Sequence, residues 1–140
     1  MQAVTAAALA VVLAAGASAG ATTASWYGAD FHGRTTASGE IYNMHDITAA
    51  HTKLPLGTRL LVYRADDPRT RVWVQVNDRG PWCLKALAAG RLVSHPERGV
   101  DLSRAAFALL APLTEGLLDV YIQPYIPGTV PDPYPVPWAP

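Results

Sequence analysis

Four side chains in this 140-residue sequence have the chemistry for proton transfer and stand at breaks in the chain: Glu40, His51, Asp78 and Asp101. Glu40 ends a small-residue loop, TTASGE at 35–40, and His51 closes ITAAH at 47–51. Asp78 stands at the mouth of RVWVQVNDRGP at 71–81, and Asp101 lies just before Ser103 and a helix-prone run. Carboxylates with an imidazole suit acid/base work on a neutral substrate, glycoside chemistry being the leading example. No GxSxG elbow or phosphate-cradling glycine loop is present, and Cys83 has no activating context. Each candidate also has a plainer role. Asp78 can bond turn N–H groups, Glu40 can be a solvated loop acid, His51 a satisfied core histidine, and Asp101 a partner of its helix N-terminus. From the residues alone, a sugar-active enzyme stands only slightly ahead of a binding barrel.

The elements that position these groups are mostly short strands. Val72, Val74 and Val76 alternate with Arg71, Trp73, Gln75 and Asn77, the period of a half-buried strand. Continued by one step, that parity predicts Asp78 on the valine face, where desolvation favours the neutral acid. Further strands are expected at 24–28, 47–51, 58–65 and 117–123, the last with Leu118, Val120 and Ile122 on one face. Asp66-Asp67-Pro68-Arg69 has the chemistry of a tight connection. Ser103 is suited to cap a helix over 104–111, ended by Pro112. Short strands, regular turn signals and little helix predict a small, mainly β barrel. Residues 82–99 read as an insertion beside Asp78, a lid or an extra wall or equally a neutral loop expansion, with one or two helical turns at 84–89 stopped by Gly90.

Eleven basic and eleven acidic residues cancel, which leaves no electrostatic footprint for nucleic acid and no charged tail for anionic membranes. One cysteine excludes an intrachain disulfide and a cysteine-cluster zinc site. His32, His45, His51 and His95 show no metal-ligand spacing, so neither metal nor cofactor is expected. Residues 1–29 carry no Asp, Glu, Lys or Arg, and an apolar run over 3–15 precedes two A-x-A sites. This predicts a signal peptide over 1–21, although no basic residue opens it, with the mature domain over 22–123 and no stable membrane insertion after cleavage. Seven of the twelve prolines fall within 124–140, which reads as an extended or disordered tail.

Six blocks in order closely resemble the RlpA-like (rare lipoprotein A) family of bacterial septal lytic transglycosylases: SWYG at 25–28, FHGRTTASGE at 31–40, TAAH at 48–51, LPLGT at 54–58, VNDRGP at 76–81 and VDLS at 100–103. The resemblance implies a six-stranded double-psi β-barrel with one or two short helices. It implies an endolytic lyase that cuts peptidoglycan glycan strands between N-acetylmuramic acid and N-acetylglucosamine, forming 1,6-anhydro ends. Asp78 corresponds to the barrel aspartate, the expected general acid/base, with Glu40 and His51 as partners; the roles of Asp78 and Glu40 can also be reversed. Ser25, Trp26, Tyr27, Phe31, Arg79 and Asp101 are the expected substrate-binding and supporting groups. The alternative is an expansin-like barrel that binds wall polysaccharide without cutting it. The chain departs from the family in three respects. No cysteine is available for acylation near the N-terminus, the proline-rich tail stands where many members carry a SPOR-type repeat, and 82–99 is longer than the usual connection. The expectation is an exported, wall-associated monomer, periplasmic or extracellular, that is not a lipoprotein.

Overall fold

Alternating valines and leucines build the wall of a closed barrel. The computed structural model describes residues 21–125, so the apolar N-terminal run and most of the proline-rich tail lie outside it. Its strands are β1 (Thr22–Tyr27), β2 (Thr48–Ala50), β3 (Arg59–Arg64), β4 (Arg71–Asp78), β5 (Arg98–Ser103) and β6 (Leu118–Pro124). They close in the order β1-β5-β2-β4-β3-β6. β1 runs parallel to β5 and β2 parallel to β4, while the other four pairings are antiparallel. The expected mainly β, six-stranded barrel is therefore present, with helices α1 (Leu84–Ala88) and α2 (Arg104–Leu110) and one 3-10 turn.

The inward residues of β3, β4, β5 and β6, among them Leu60, Val62, Val74, Val100 and Val120, are fully buried. Helix α2 adds Ala106, Phe107 and Leu110 to the same core. Burial of a side chain such as Phe107 stabilises the fold by about 1.5–3 kcal/mol. The helix is fixed by Ser103, as its sequence predicts. The fully buried Ser103 Oγ accepts from Ala106 N–H at 3.2 Å and Thr48 N–H at 3.3 Å, and donates to the Asp46 carbonyl at 2.6 Å. One hydroxyl thus joins the start of α2 to the approach to β2.

Two differences from the sequence reading bear on function. β5 begins at Arg98, so the end of the segment read as an insertion belongs to the barrel, and Asp101 lies within a strand. The rest of that segment is tied down at its base. Trp82 bridges Ser94, Cys83 N–H bonds Val93 O at 2.8 Å, and Ser94 Oγ donates to Thr52 Oγ1 at 3.0 Å.

Candidate active site

The second difference is the face that Asp78 occupies. Ala49 pairs with Val76, but Ala50 pairs with Asp78, so Asn77 is an extra residue on β4. A β-bulge of this kind re-aims the side chains that follow it. Strict alternation would send Asp78 inward with the valines; the bulge sets it instead in a cross-strand row Asp78–Ala50–Asp101–Ser25 over β4, β2, β5 and β1. Paired residues on neighbouring strands share one face of a sheet. The adjacent row, Val76–Ala49–Leu102–Trp26, packs in the core. The acids therefore lie on the outer face of the barrel, their Cα atoms two strand spacings apart, about 9.5 Å.

A second bulge serves the same face. Thr23 pairs with Arg98 and Ala24 with Val100, so Gly99 is the extra residue on β5. The shift brings Arg98 onto the side that carries Asp101. A Cβ at Gly99 would collide with the Thr22 side chain, so any larger residue here must displace Thr22.

The loop between β1 and β2 lies over this face. Tyr27, Tyr42 and Ala50 form a small buried cluster with Met44, separate from the main core. Tyr27 and Tyr42 rings lie 4.3 Å apart, and Phe31 meets the Tyr27 ring edge-on at 5.9 Å. The result is a groove of about 700 Å³ with Asp78 and Asp101 in its lining and with Tyr27, Phe31, Trp82 and Leu87 among its apolar walls. Trp26, Arg79 and Arg98 also contribute to it. Phe31, at 47% exposure, is partly open to solvent at the rim.

Asp78 is held by its neighbours. Its Oδ1 accepts from Ala37 N–H at 3.0 Å and Arg79 N–H at 2.8 Å, whereas Oδ2 has no hydrogen-bond partner among the described residues. One oxygen is thus fixed and the other is available to a ligand. The Ala37 contact comes from the TTASGE loop, which also bonds β4 through Ser38 N–H to Asn77 O at 3.1 Å.

Asp101 differs electrostatically. Burial, with the Asp78 charge adding to it, raises its pKa from 3.8 to about 6, against the opposing effects of the Ser25 bond and the Arg98 charge. Ser25 Oγ donates to Asp101 Oδ1 at 3.1 Å. At near-neutral pH the groove therefore holds a carboxyl group that retains a proton part of the time. Burial also pushes the Tyr27 phenol well above its usual range, so that ring stays neutral.

Glu40 and His51 are not among the residues lining the groove. Glu40 is exposed, and its Oε1 accepts from Ser38 Oγ at 3.2 Å, within the loop that grips Asp78. His51 Nδ1 accepts from Lys53 and Leu54 N–H, both at 3.0 Å. Burial, then the Arg79 and Lys53 charges, lower the His51 pKa, so the ring is held neutral. Its backbone N–H bonds Asp78 O at 3.1 Å, and Arg79 Nη1 reaches His51 O at 3.0 Å and Leu54 O at 2.6 Å. Arg79 thus braces the loop after β2 against the end of β4. Ser25 is buried beneath the groove, and Trp26 is anchored by Nε1–H to Leu113 O at 3.2 Å and lies 6.4 Å from Phe107.

Several contributors were missed from sequence. Ala37 acts through its backbone, which no residue type reveals. Arg98 gives a signal only if 98–103 is read as a strand with a glycine bulge, and Trp82 and Leu87 only if the segment after Pro81 is folded against the barrel. Among the described residues no group of histidines, cysteines or acids is arranged to hold a metal, and no helix is long and apolar enough to cross a membrane.

The family described as lytic transglycolase matches residues 19–122. Among curated proteins, the chain is 39% identical over 105 residues to an endolytic peptidoglycan transglycosylase RlpA of Neisseria meningitidis, covering 75% of this chain and 38% of that protein. It is 40% identical over 100 residues to the protein of that name from Vibrio cholerae, covering 71% and 33%. The chain thus spans about a third of the length of these relatives. Among solved structures it is similar to an expansin of Clavibacter michiganensis, an Asp-to-Asn mutant in complex with cellohexaose, with a TM-score of 0.54 and 19% identity over 79% of this chain and 52% of that one. That likeness concerns the fold.

Proposed function

The chain belongs to the lytic transglycolase family as an RlpA-like double-psi β-barrel, and on that premise we propose that its groove cleaves peptidoglycan glycan strands without water. The bond cut is the β-1,4 linkage between N-acetylmuramic acid and N-acetylglucosamine, and the products carry 1,6-anhydromuramic ends. The observation that carries this reading is the row Asp78–Ala50–Asp101–Ser25 along the floor of an aromatic-walled groove.

In the proposed reaction, Asp78 donates a proton through Oδ2 to the leaving O4 as the C1–O4 bond breaks. The resulting carboxylate takes the proton of the muramic C6 hydroxyl, whose oxygen bonds C1 and closes the anhydro ring. The acid is regenerated and no water enters. Asp101 retains a proton part of the time near neutrality and lies on the same face as Asp78. It is a supporting group held by Ser25. Glu40 and His51 act as positioning residues: Glu40 holds the loop whose Ala37 N–H fixes Asp78, and His51 is bonded to the backbone of the same strand end. Phe31 and Trp82 offer ring faces and edges to the apolar surfaces of sugars, with Tyr27 buried behind Phe31 as its support. Such a substrate lies outside the cytoplasmic membrane, so we place the protein there, on the wall, as a monomer.

The rival reading is an expansin-like barrel that binds wall polysaccharide only. Incubation of purified protein with sacculi separates the two. We expect soluble muropeptides to accumulate with time; binding to sacculi with no release overturns the enzymatic reading.

A further inference from the structure

Two arginines enter the lining of the groove, Arg79 and Arg98, and they are held differently. The Arg79 guanidinium is engaged by the chain itself, through the His51 and Leu54 carbonyls. Arg98 is fixed through its backbone. Its N–H donates to His95 Nδ1 at 3.0 Å, beside Glu97 N–H at 3.1 Å, and His95 N–H donates to Pro81 O at 3.0 Å. The turn at 95–98 thereby ties the start of β5 to the end of the NDRGP block. Among the described residues the Arg98 guanidinium makes no hydrogen bond and has no carboxylate within ion-pair distance. Asp101 feels its charge but takes Ser25 as its hydrogen-bond partner. The bulge at Gly99 sets where this cation stands. Arg98 pairs with Thr23 and Asp101 with Ser25, two residues further along β1, so the two lie about 7 Å apart along the strands. Asp78 is a further two strands away across the sheet, which puts Arg98 about 12 Å from it between Cα atoms. The cation is therefore offset from the proposed acid in both directions.

Resting on the cleavage proposed above, we infer that Arg98 is the carboxylate-binding residue of the groove and sets the register of the glycan over Asp78. The forked donors of a guanidinium match a carboxylate, and a partner-free arginine in a partly apolar cleft gains from one. Of the two sugars that alternate along the substrate, muramic acid carries a carboxylate and N-acetylglucosamine carries none. Two sources share this chemistry. Where no peptide is attached, the lactyl carboxylate is free; where one is attached, that group is an amide and the carboxylates are those of the peptide. In either case the arginine distinguishes the charged sugar from the neutral one. Because Arg98 is offset from Asp78, it does so beside the reacting bond and takes no part in proton transfer. An enzyme that closes an anhydro ring on muramic acid must place that sugar, and not its neighbour, with C1 at the acid. A fixed cation on β5 supplies that discrimination.

The test measures binding by titration calorimetry in the full chain carrying Asp78→Asn, so that no ligand is turned over. Four tetrasaccharides serve as probes: the alternating N-acetylglucosamine–N-acetylmuramic acid form without peptide, the same with its lactyl groups as carboxamides, the same bearing peptides, and chitotetraose. At least one carboxylate-bearing form is expected to bind about tenfold more tightly than the carboxamide and chitotetraose, with a margin that shrinks as salt is added. Arg98→Gln should abolish the margin while chitotetraose binds as before, which also shows that the variant is folded, and Arg98→Lys should restore part of it. A margin confined to the peptide-free ligand assigns the lactyl carboxylate; one confined to the peptide-bearing ligand assigns the peptide. Equal binding of charged and uncharged forms overturns the inference, as does an Arg98→Gln loss shared by chitotetraose or failure of all four to bind. The cleavage reading falls separately, on sacculi that release no muropeptide with the parent protein.

Discussion

Asparagine at position 78 keeps the shape of Asp78 and both backbone bonds to its Oδ1, from Ala37 and Arg79. What it loses is the titratable proton. Asp78→Asn is therefore expected to melt within a few degrees of the parent while its release of muropeptides falls by about 10²–10⁴-fold, the usual contribution of a general acid. Retained turnover in this variant would move the acid to another residue. Asp101→Asn separates stability from catalysis. The Asp101 carboxyl has a pKa of about 6 in the folded chain against an ordinary 3.8. Folding therefore favours the protonated form, and the fold loses stability as pH rises through that interval. Asparagine removes this loss and still accepts from Ser25. The variant is expected to be more stable by about 1–3 kcal/mol at about pH 7.5, and to show no gain at about pH 3. Urea denaturation at the two pH values checks this; a gain of equal size at both would assign the effect to something other than ionisation.

At the scale of elements, the bulges at Asn77 and Gly99 decide which charges meet. They also mark where sequence reading stops. Alternation identified β4 correctly but placed Asp78 on the valine face, because an inserted residue in a ladder depends on the partner strand, and β2 lies some 25 residues away in sequence. Gly99 invites the same error. The constraint there comes from Thr22, which a single strand cannot reveal. Gly99→Ala is expected to cost about 1–3 kcal/mol by overpacking, with part of the loss recovered in the double variant with Thr22→Ala. Thermal melts of the three variants measure the coupling; full additivity would contradict it. Ser103, in contrast, was legible as a cap from its position before a helix-prone run. Its two additional bonds, to Thr48 N–H and Asp46 O, were not. Ser103→Ala is therefore expected to exceed an ordinary cap loss, at about 2–3 kcal/mol in chemical denaturation.

For the whole molecule, barrel class followed from period-two patterns and turn residues, which are local properties, while the count of six strands came only from the resemblance of the ordered blocks to a family, since 98–103 gave no strand pattern of its own. Assembly of the groove was less accessible. Its acids come from β4 and β5, its apolar walls from the loop after β1 and the segment after Pro81, and closure of the barrel brings these distant pieces together. Glu40 and His51 were read as partners of Asp78, and both attach through loops that grip the end of β4 without standing in the groove. The proposed cleavage by internal ring closure is open to one decisive measurement, mass analysis of the muropeptides released from purified sacculi. New muramic ends are expected to be one water lighter than hydrolysed ends and to be lost with Asp78→Asn; ordinary reducing ends from the active protein would overturn the proposed cleavage and identify a hydrolase.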